Sequence, residues 1–433
     1  MSKILKFLLL LILITNCSLD KKTGFWSKPE EIKKNKNLIV EKLFENEKSY
    51  NEEFNSNLKI KLSKNFNVTR LSELSNNNGR IDYESELKKI SKFKYSKIDN
   101  FNKFEPDIII DEKSIIFFDK KGTLLKFDKN SKLIWKKNYY SKGEKKIGPL
   151  INLASYNNYL IITDNLAKYY AVDINTGNLL WMKQNKAPFN SQVKIHKNKI
   201  YTVDYNNVLR CFSIKDGIEL WNVKTESSFI KSSKKLSLVI GEKKIIFENS
   251  IGDISAVDIN TAKLIWQTPT QDNLIYENSF NLKSSDMVLS NKSILFSNNF
   301  NEFYSMNIDT GILNWKQSIN SSVRPSVVEN FIFTVTNEGF LVIIDENNGN
   351  IIRISNVYNN IKKKKRSQIF PVGFAIGKKN IYLTLSNGRL IIIDIETGKS
   401  KLKLKIDNEK ISRPIILDKN LFIIKNNSII KFD

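Results

Sequence analysis

Ala171-Val172-Asp173-Ile174-Asn175-Thr176-Gly177-Asn178-Leu179-Leu180-Trp181 decides the fold, because recognisable versions of this stretch return along most of the chain. Tyr169-Tyr170-Ala171-Val172 is a β-rich run, Asp173 to Gly177 is turn chemistry, and Leu179-Leu180-Trp181 opens a second strand. The pattern predicts a hairpin. Asp173 and Asn175 can bond main-chain groups of the turn, and Gly177 can take the positive φ that closes a short loop without a Cβ clash. Trp181 then gives the outgoing strand one large apolar face.

Residues 257–266 repeat the stretch almost unchanged, with Ala262 in place of the glycine, and residues 306–315 keep Thr310-Gly311 and Trp315. Residues 212–221 are a looser copy with Gly217 and Trp221, and residues 127–135 are one residue shorter, ending at Trp135 without the glycine. Two later copies keep Gly349 and Gly398 but place Arg353 and Leu402 where the others end, and the chain stops on half a copy, residues 429–433. The aspartate position recurs at 128, 173, 213, 258, 307, 345, 394 and 433, so the spacing runs from 38 to 49 residues. That period, with two hairpins' worth of strand per unit, predicts an all-β fold, a β-propeller of four-stranded antiparallel blades.

Eight anchors predict eight blades, with seven and a stray C-terminal strand as the alternative. The last copy lacks its turn and final strand, which leaves an open edge prone to pairing with other chains. The alternating segment Phe93-Lys94-Tyr95-Ser96-Lys97-Ile98, lying before the first anchor, is placed to complete that blade. Two connections are long, 268–286 and 356–370, and long loops on a rigid ring are where binding usually sits.

At the N-terminus Lys3 and Lys6 precede the apolar run 7–14, the layout of a secretory signal and too short for a membrane span. The run ends at Ile14-Thr15-Asn16-Cys17, which resembles the lipobox of bacterial lipoproteins, although Asn16 stands where a small residue is usual. By that resemblance residues 1–16 are a signal peptide, Cys17 is lipidated, and Ser18 directs the anchor to the outer membrane, periplasmic face. Residues 17–90 then read as tether and N-terminal extension, rich in Lys, Glu and Asn, and 91–433 as the propeller. Cys211 has no partner for a disulfide if Cys17 is acylated, and reads as a small buried residue.

The formal charge is +24, or +22 without Lys3 and Lys6. Export argues against nucleic acid as the partner, and the lysines are spread along the chain rather than clustered. One dense run, Lys362-Lys363-Lys364-Lys365-Arg366, reads as a solvated loop, or alternatively as a patch for an acidic surface. His196 is the sole histidine, so a histidine triad or zinc cluster lacks its parts, and no Gly-rich phosphate loop occurs. No catalytic residue, metal site or cofactor is expected.

The pattern Ala-x-Asp-x-x-Thr-Gly-x-x-x-Trp, met in full by residues 171–181, resembles the PQQ-like β-propeller repeat family. With the lipoprotein signal and eight blades, the chain is similar to the outer-membrane protein assembly factor lipoproteins of that family. The resemblance implies a non-catalytic scaffold of the outer-membrane β-barrel assembly (BAM) complex. Its implied partners are a BamA-like barrel insertase and associated BAM lipoproteins, with nascent β-barrel proteins as a further ligand class. It further implies contact through two neighbouring loops, which here carry Phe229, Ile230 and Lys231 in one and Asp286 in the other. Lys231 stands where the family has Arg, keeping the charge but not the bidentate fork; the competing reading makes these ordinary packed strand residues. Two further functional readings stay open: a periplasmic PQQ-dependent quinoprotein dehydrogenase, whose vicinal Cys pair is missing here, and a generic polyanion binder.

Overall fold

The computed structural model describes residues 18–19, 26–27, 52–63, 66, 74–85, 87–95, 106–110, 113–226, 232, 234–241, 243–270, 284–291, 293–298 and 301–433. Met1–Glu47 forms one unit, whose described part is a two-stranded antiparallel ladder, Ser18–Leu19 with Trp26–Ser27. Lys48–Asp433 forms the other. It consists of eight four-stranded antiparallel sheets arranged as a ring, an eight-bladed β-propeller.

Blades 1 to 7 each use four consecutive strands. Blade 2 runs Ile151–Tyr156, Tyr159–Asp164, Lys168–Asp173, Leu179–Gln184, from the inner strand to the outer one. The middle strands are buried on both faces: Leu160, Ile161 and Ile162 are fully inaccessible, as are Tyr170, Ala171 and Val172. Side chains of opposite parity therefore fill the two junctions with neighbouring blades, which is why the strands read as continuous apolar runs. In each of blades 1 to 7 the register slips by one residue where the third strand meets the fourth, as between Ala171 and Val172. After that bulge two successive residues face outward; Leu179 and Leu180 are both exposed.

Blade 8 joins the two ends of the chain. Ile415–Leu417, Asn420–Lys425 and Ser428–Phe432 are completed by Lys89–Lys94 as the outer strand. The closing strand sits earlier than the alternation at 93–98 implies. Phe93 pairs with Ile429 and is fully buried, and Tyr95 extends the ladder by one bond to Asn427, whereas Ser96, Lys97 and Ile98 lie outside the described residues. The start is fixed by Asp433, whose carboxylate accepts the Lys88 N–H at 2.8 Å and whose N–H donates to the Lys88 carbonyl at 3.1 Å.

The repeat tryptophans hold blade to blade. Indole Nε1 of Trp135, Trp181, Trp266 and Trp315 donates to the carbonyl of the residue after the turn's Asp, Ser or Asn in the next blade, respectively Ile174, Ile214, Ile308 and Glu346. Each ring lies on the next blade's turn glycine: a Cβ at Gly177, Gly217, Gly311 or Gly349 would fall 2.5–2.9 Å from indole carbon. Gly177 and Gly311 also hold φ near +70°, so shape and backbone both demand glycine. Arg353 takes the tryptophan's place before Gly398, fully buried, with its guanidinium donating to the Ile395 and Glu396 carbonyls.

Much of the extension belongs to the ring. Phe54 pairs with Ile354 on the outer strand of blade 6, Ile60 is buried in the blade 6–7 core and donates to the Glu396 carbonyl, and Arg353 donates to the Leu58 carbonyl. Residues 74–81 then run along the inner strands: Ile240 donates to the Leu74 carbonyl, Leu289 to Ser75, Val327 to the Asn77 side chain, and Ile81 to Ile376. The strap thus touches blades 4, 5, 6 and 7 in turn before the chain enters blade 8.

Candidate docking site and central channel

The two connections singled out in the sequence join blades 3 and 4 (225–237) and blades 4 and 5 (269–287). Phe229, Ile230 and Lys231 lie outside the described residues, as do 271–283 and Cys17. What is described is the base of both loops. Lys234 of the first reaches the carboxylate of Glu248 at 2.8 Å and the hydroxyl of Ser284 in the second, and Ser284 Oγ in turn donates to Glu248. Glu248 is almost completely buried, and a buried carboxylate requires such a counter-charge. The two loops are therefore fastened to one another where they leave the ring. Thr270 is tied to Gly252 by a 2.6 Å bond and Asn298 donates to the Thr270 carbonyl, which anchors the outer end of the second loop.

Asp286 lies at the inner end of that second loop and lines the central channel, with 23% of its side chain accessible. Arg324, on the blade 5–6 connection, donates to it from Nε at 3.0 Å and from Nη2, and Arg413, on the blade 7–8 connection, stands 3.6 Å away. Burial alone would raise its pKa; Arg324, Arg413 and Lys234 outweigh that and hold the carboxyl far below the ordinary range. Asp107, before blade 1, pairs with Lys235 and accepts the Leu153 N–H at 3.1 Å. Ion pairs therefore link blade 1 to blade 4 and blade 5 to blade 8 across the channel mouth.

The strap lies against the channel's inner strands. The Asn76 amide, 2% exposed, donates to Gln192 Oε1 and to the Met287 carbonyl, both at 3.0 Å, and accepts from Lys194 Nζ at 2.7 Å. The cavity that remains is about 370 Å³. Nothing in the sequence pattern marks this strap, since its ties are main-chain groups and asparagine amides; Asn76-Asn77-Asn78-Gly79 reads only as a turn.

His196 ends the inner strand of blade 3, and burial together with Lys197 lowers its pKa. Cys211 is fully buried opposite Trp221, and burial pushes its thiol up to about 12, which leaves it an inert core residue. Lys363–Arg366 form one helical turn with Lys363, Lys364 and Lys365 exposed. Among the described residues no cluster of His, Cys, Asp and Glu could hold a metal ion, and no helix is long and apolar enough to cross a membrane.

The ring, its Trp-on-Gly junctions and the repeat turns place the chain among eight-bladed propellers of the PQQ-like repeat type. It belongs to the family described as outer membrane protein assembly factor BamB, whose model matches residues 120–355, more than half of the chain. No curated protein sequence matches it. Among solved structures, BamB from Moraxella catarrhalis is similar with a TM-score of 0.63 and 12% identity, over 80% of this chain and 100% of that one. The quinohemoprotein alcohol dehydrogenase from Comamonas testosteroni is similar with a TM-score of 0.61 and 10% identity, over 82% of this chain and 78% of that one. The C-terminal WD40 domain of Sif2 reaches 0.59 at 12% identity, over 81% and 99%. At such identities these likenesses speak for the fold alone.

Proposed function

We propose that the chain is a non-catalytic scaffold lipoprotein of the outer-membrane β-barrel assembly machinery, held at the periplasmic face of the outer membrane through Cys17. It binds a BamA-like barrel insertase through the paired connections between blades 3, 4 and 5. Membership of the BamB family supports this reading, and one observation favours these connections as its surface: Lys234, Glu248 and Ser284 fasten their bases together. On that surface Phe229 and Ile230 are the apolar anchors, Lys231 the charge, and Asp286 the inner boundary, a hot spot rimmed by polar groups.

The dehydrogenase reading draws on a fold likeness with a TM-score of 0.61, against 0.63 for BamB. Against it stands the sequence: the two cysteines, 17 and 211, are far apart, and five of the six tryptophans are the repeat residues, four of them bonded into blade junctions. The deciding experiment is a pull-down from detergent-solubilised membranes with wild type and a Phe229→Asp/Lys231→Glu variant. The insertase is expected with wild type and absent from the folded variant. Its absence from both samples would sink the scaffold reading.

A further inference from the structure

Two of the connections that carry the chain from the outer strand of one blade to the inner strand of the next are basic and hold an apolar side chain out to solvent. Between blades 6 and 7, residues 357–370 contain the run Lys362 to Arg366 and no Asp or Glu. Between blades 1 and 2, the short helix Lys142–Ile147 sets Lys142, Lys145 and Lys146 along a groove that Lys120 and Lys121 also line. The nearby carboxylates are engaged elsewhere: Glu144 pairs with Lys168 at 2.6 Å, and Asp119 accepts the main-chain N–H groups of Lys121 and Thr123, both at 2.9 Å. Among the described residues Lys121, Lys142, Lys145 and Lys146 take part in no ion pair, and neither do the lysines at 363–365. Ile147 is 66% exposed and Phe370 50%. Both are held there. Ser141 and Glu144 cap the helix reciprocally, and Gly148, at φ +76°, returns its N–H to the Glu144 carbonyl directly after Ile147. Phe370 donates its N–H to the Ser386 hydroxyl at 3.0 Å.

The inner strands run parallel to one another around the ring, as the bridge between Ser191 and Leu236 shows at the entries to blades 3 and 4, so the connections that enter them leave from one face. The two basic clusters therefore share that face, on either side of blades 7, 8 and 1. We propose that this face rests on an anionic phospholipid surface, with the lysines at the headgroup phosphates and with Ile147 and Phe370 entering the acyl boundary. Lysines around an exposed apolar side chain are the chemistry of such an interface, the amines supplying attraction and the apolar group depth. Spacing is the second argument. Two clusters held apart by three blades of a rigid ring are met together by a plane, whereas an acidic peptide would cover one of them. The contact shares no residue with the docking connections and does not rest on the scaffold reading.

Co-sedimentation of the full chain carrying Cys17→Ser, which cannot be acylated there, with vesicles of phosphatidylcholine alone and of phosphatidylcholine mixed with phosphatidylglycerol tests the contact. Binding to the mixed vesicles is expected to be stronger by about tenfold or more at low salt and to fall as salt is added. Lys142→Glu/Lys146→Glu and Lys363→Glu/Lys364→Glu should each weaken it about tenfold, and Ile147→Ser should weaken it without changing its salt dependence. Lys263→Glu/Lys399→Glu makes the same charge change in turns of the opposite face and should leave binding as it was; all the substituted side chains are exposed, so the variants are expected to fold. Equal binding to the two kinds of vesicle overturns the proposal. So does equal weakening by the opposite-face variant, which would mean attraction to net charge alone, and so does loss from one cluster only, which would point to an acidic protein segment. None of these results bears on the insertase pull-down.

Discussion

At the scale of the residue, the junction between blades 3 and 4 departs from the others, and the departure is explained by one methyl group. Ala262 holds φ +57° where the other tryptophan junctions have glycine, and at those glycines a Cβ would fall within 2.9 Å of the indole. Trp221 Nε1 is accordingly buried without a hydrogen-bond partner among the described residues, whereas the other four repeat tryptophans donate to the next blade. Ala262→Gly relieves a left-handed backbone costing about 1–2 kcal/mol and frees the indole to make a bond worth about 1 kcal/mol. Against this stands about 0.5–1 kcal/mol of extra chain entropy in the unfolded state. A net gain of about 1 kcal/mol is expected as a higher urea midpoint, and a lower midpoint would refute this account of the junction. The reverse change, Gly311→Ala, drives a Cβ to within 2.5 Å of Trp266 and should cost about 1–3 kcal/mol. The carboxylates add a pH dependence. Asp173 and Asp258 are held below their usual range first by the main-chain N–H groups of Thr176 and Thr261, and Asp286 despite its burial by Arg324, Arg413 and Lys234. A carboxylate depressed in the folded state contributes stability that is complete above its unfolded pKa and is lost as pH falls toward the folded one. Asp286→Asn should therefore be markedly less stable than wild type at pH 7, with the gap narrowing below pH 3.8, the ordinary aspartate value. A gap that stays constant between pH 7 and pH 2.5 in denaturant titrations would show that the charge of Asp286 is not what matters.

Among the elements, the outer strands show how seven exposed edges are kept from pairing with other chains. The bulge shared by blades 1 to 7 interrupts each ladder near the start of the outer strand, and charged residues such as Lys401, Lys403 and Lys405 follow. Blade 6 is treated differently, and Arg353 is the reason. With no indole to cover the junction, the extension supplies Phe54, Leu58 and Ile60, and the guanidinium bonds to both the extension and blade 7. Arg353→Ala takes a donor from the Leu58, Ile395 and Glu396 carbonyls, of which Glu396 keeps the Ile60 N–H, and a loss of about 1–3 kcal/mol is expected in chemical denaturation. The repeat made the blades legible: the anchors, the glycines and the tryptophans marked eight four-stranded sheets and the turn that ends the third strand of each blade. Arg353 was visible as an exception, but its meaning was not: the segment that answers it lies some 300 positions away, and the alternation of Leu58-Lys59-Ile60-Lys61-Leu62 marks an extended stretch without naming its partner. The resemblance named Asp286 as a contact residue of its loop, but its ion pairs with Arg324 and Arg413 were not legible. Whether such a residue faces a partner or the channel depends on its place just ahead of a three-residue inner strand, Val288–Ser290, a parity too short to read from the pattern.

For the whole molecule, a circular arrangement makes stability a property of closure. Apart from the ion pairs at the channel mouth and the strap, each blade packs on its two neighbours, so one missing junction opens the circle. The Ser428–Phe432 strand lies between Lys89–Lys94 and Asn420–Lys425, and its removal would part the two ends. A chain truncated after Asn427 is expected to lose cooperative unfolding and to become susceptible to protease throughout the ring, read by limited proteolysis against the intact protein. Retention of a single sharp transition would show that the other seven blades stand without closure. This bears on how the molecule comes into being. Synthesis runs from the N-terminus, so Lys89–Lys94 is made more than 300 residues before Ser428–Phe432, the strand it pairs with. An unfinished chain has no way to pass for a finished one. The strand Ser428–Phe432 is thus a check on completion: until it is in place the ring stays open, with a bare strand edge on either side of the gap.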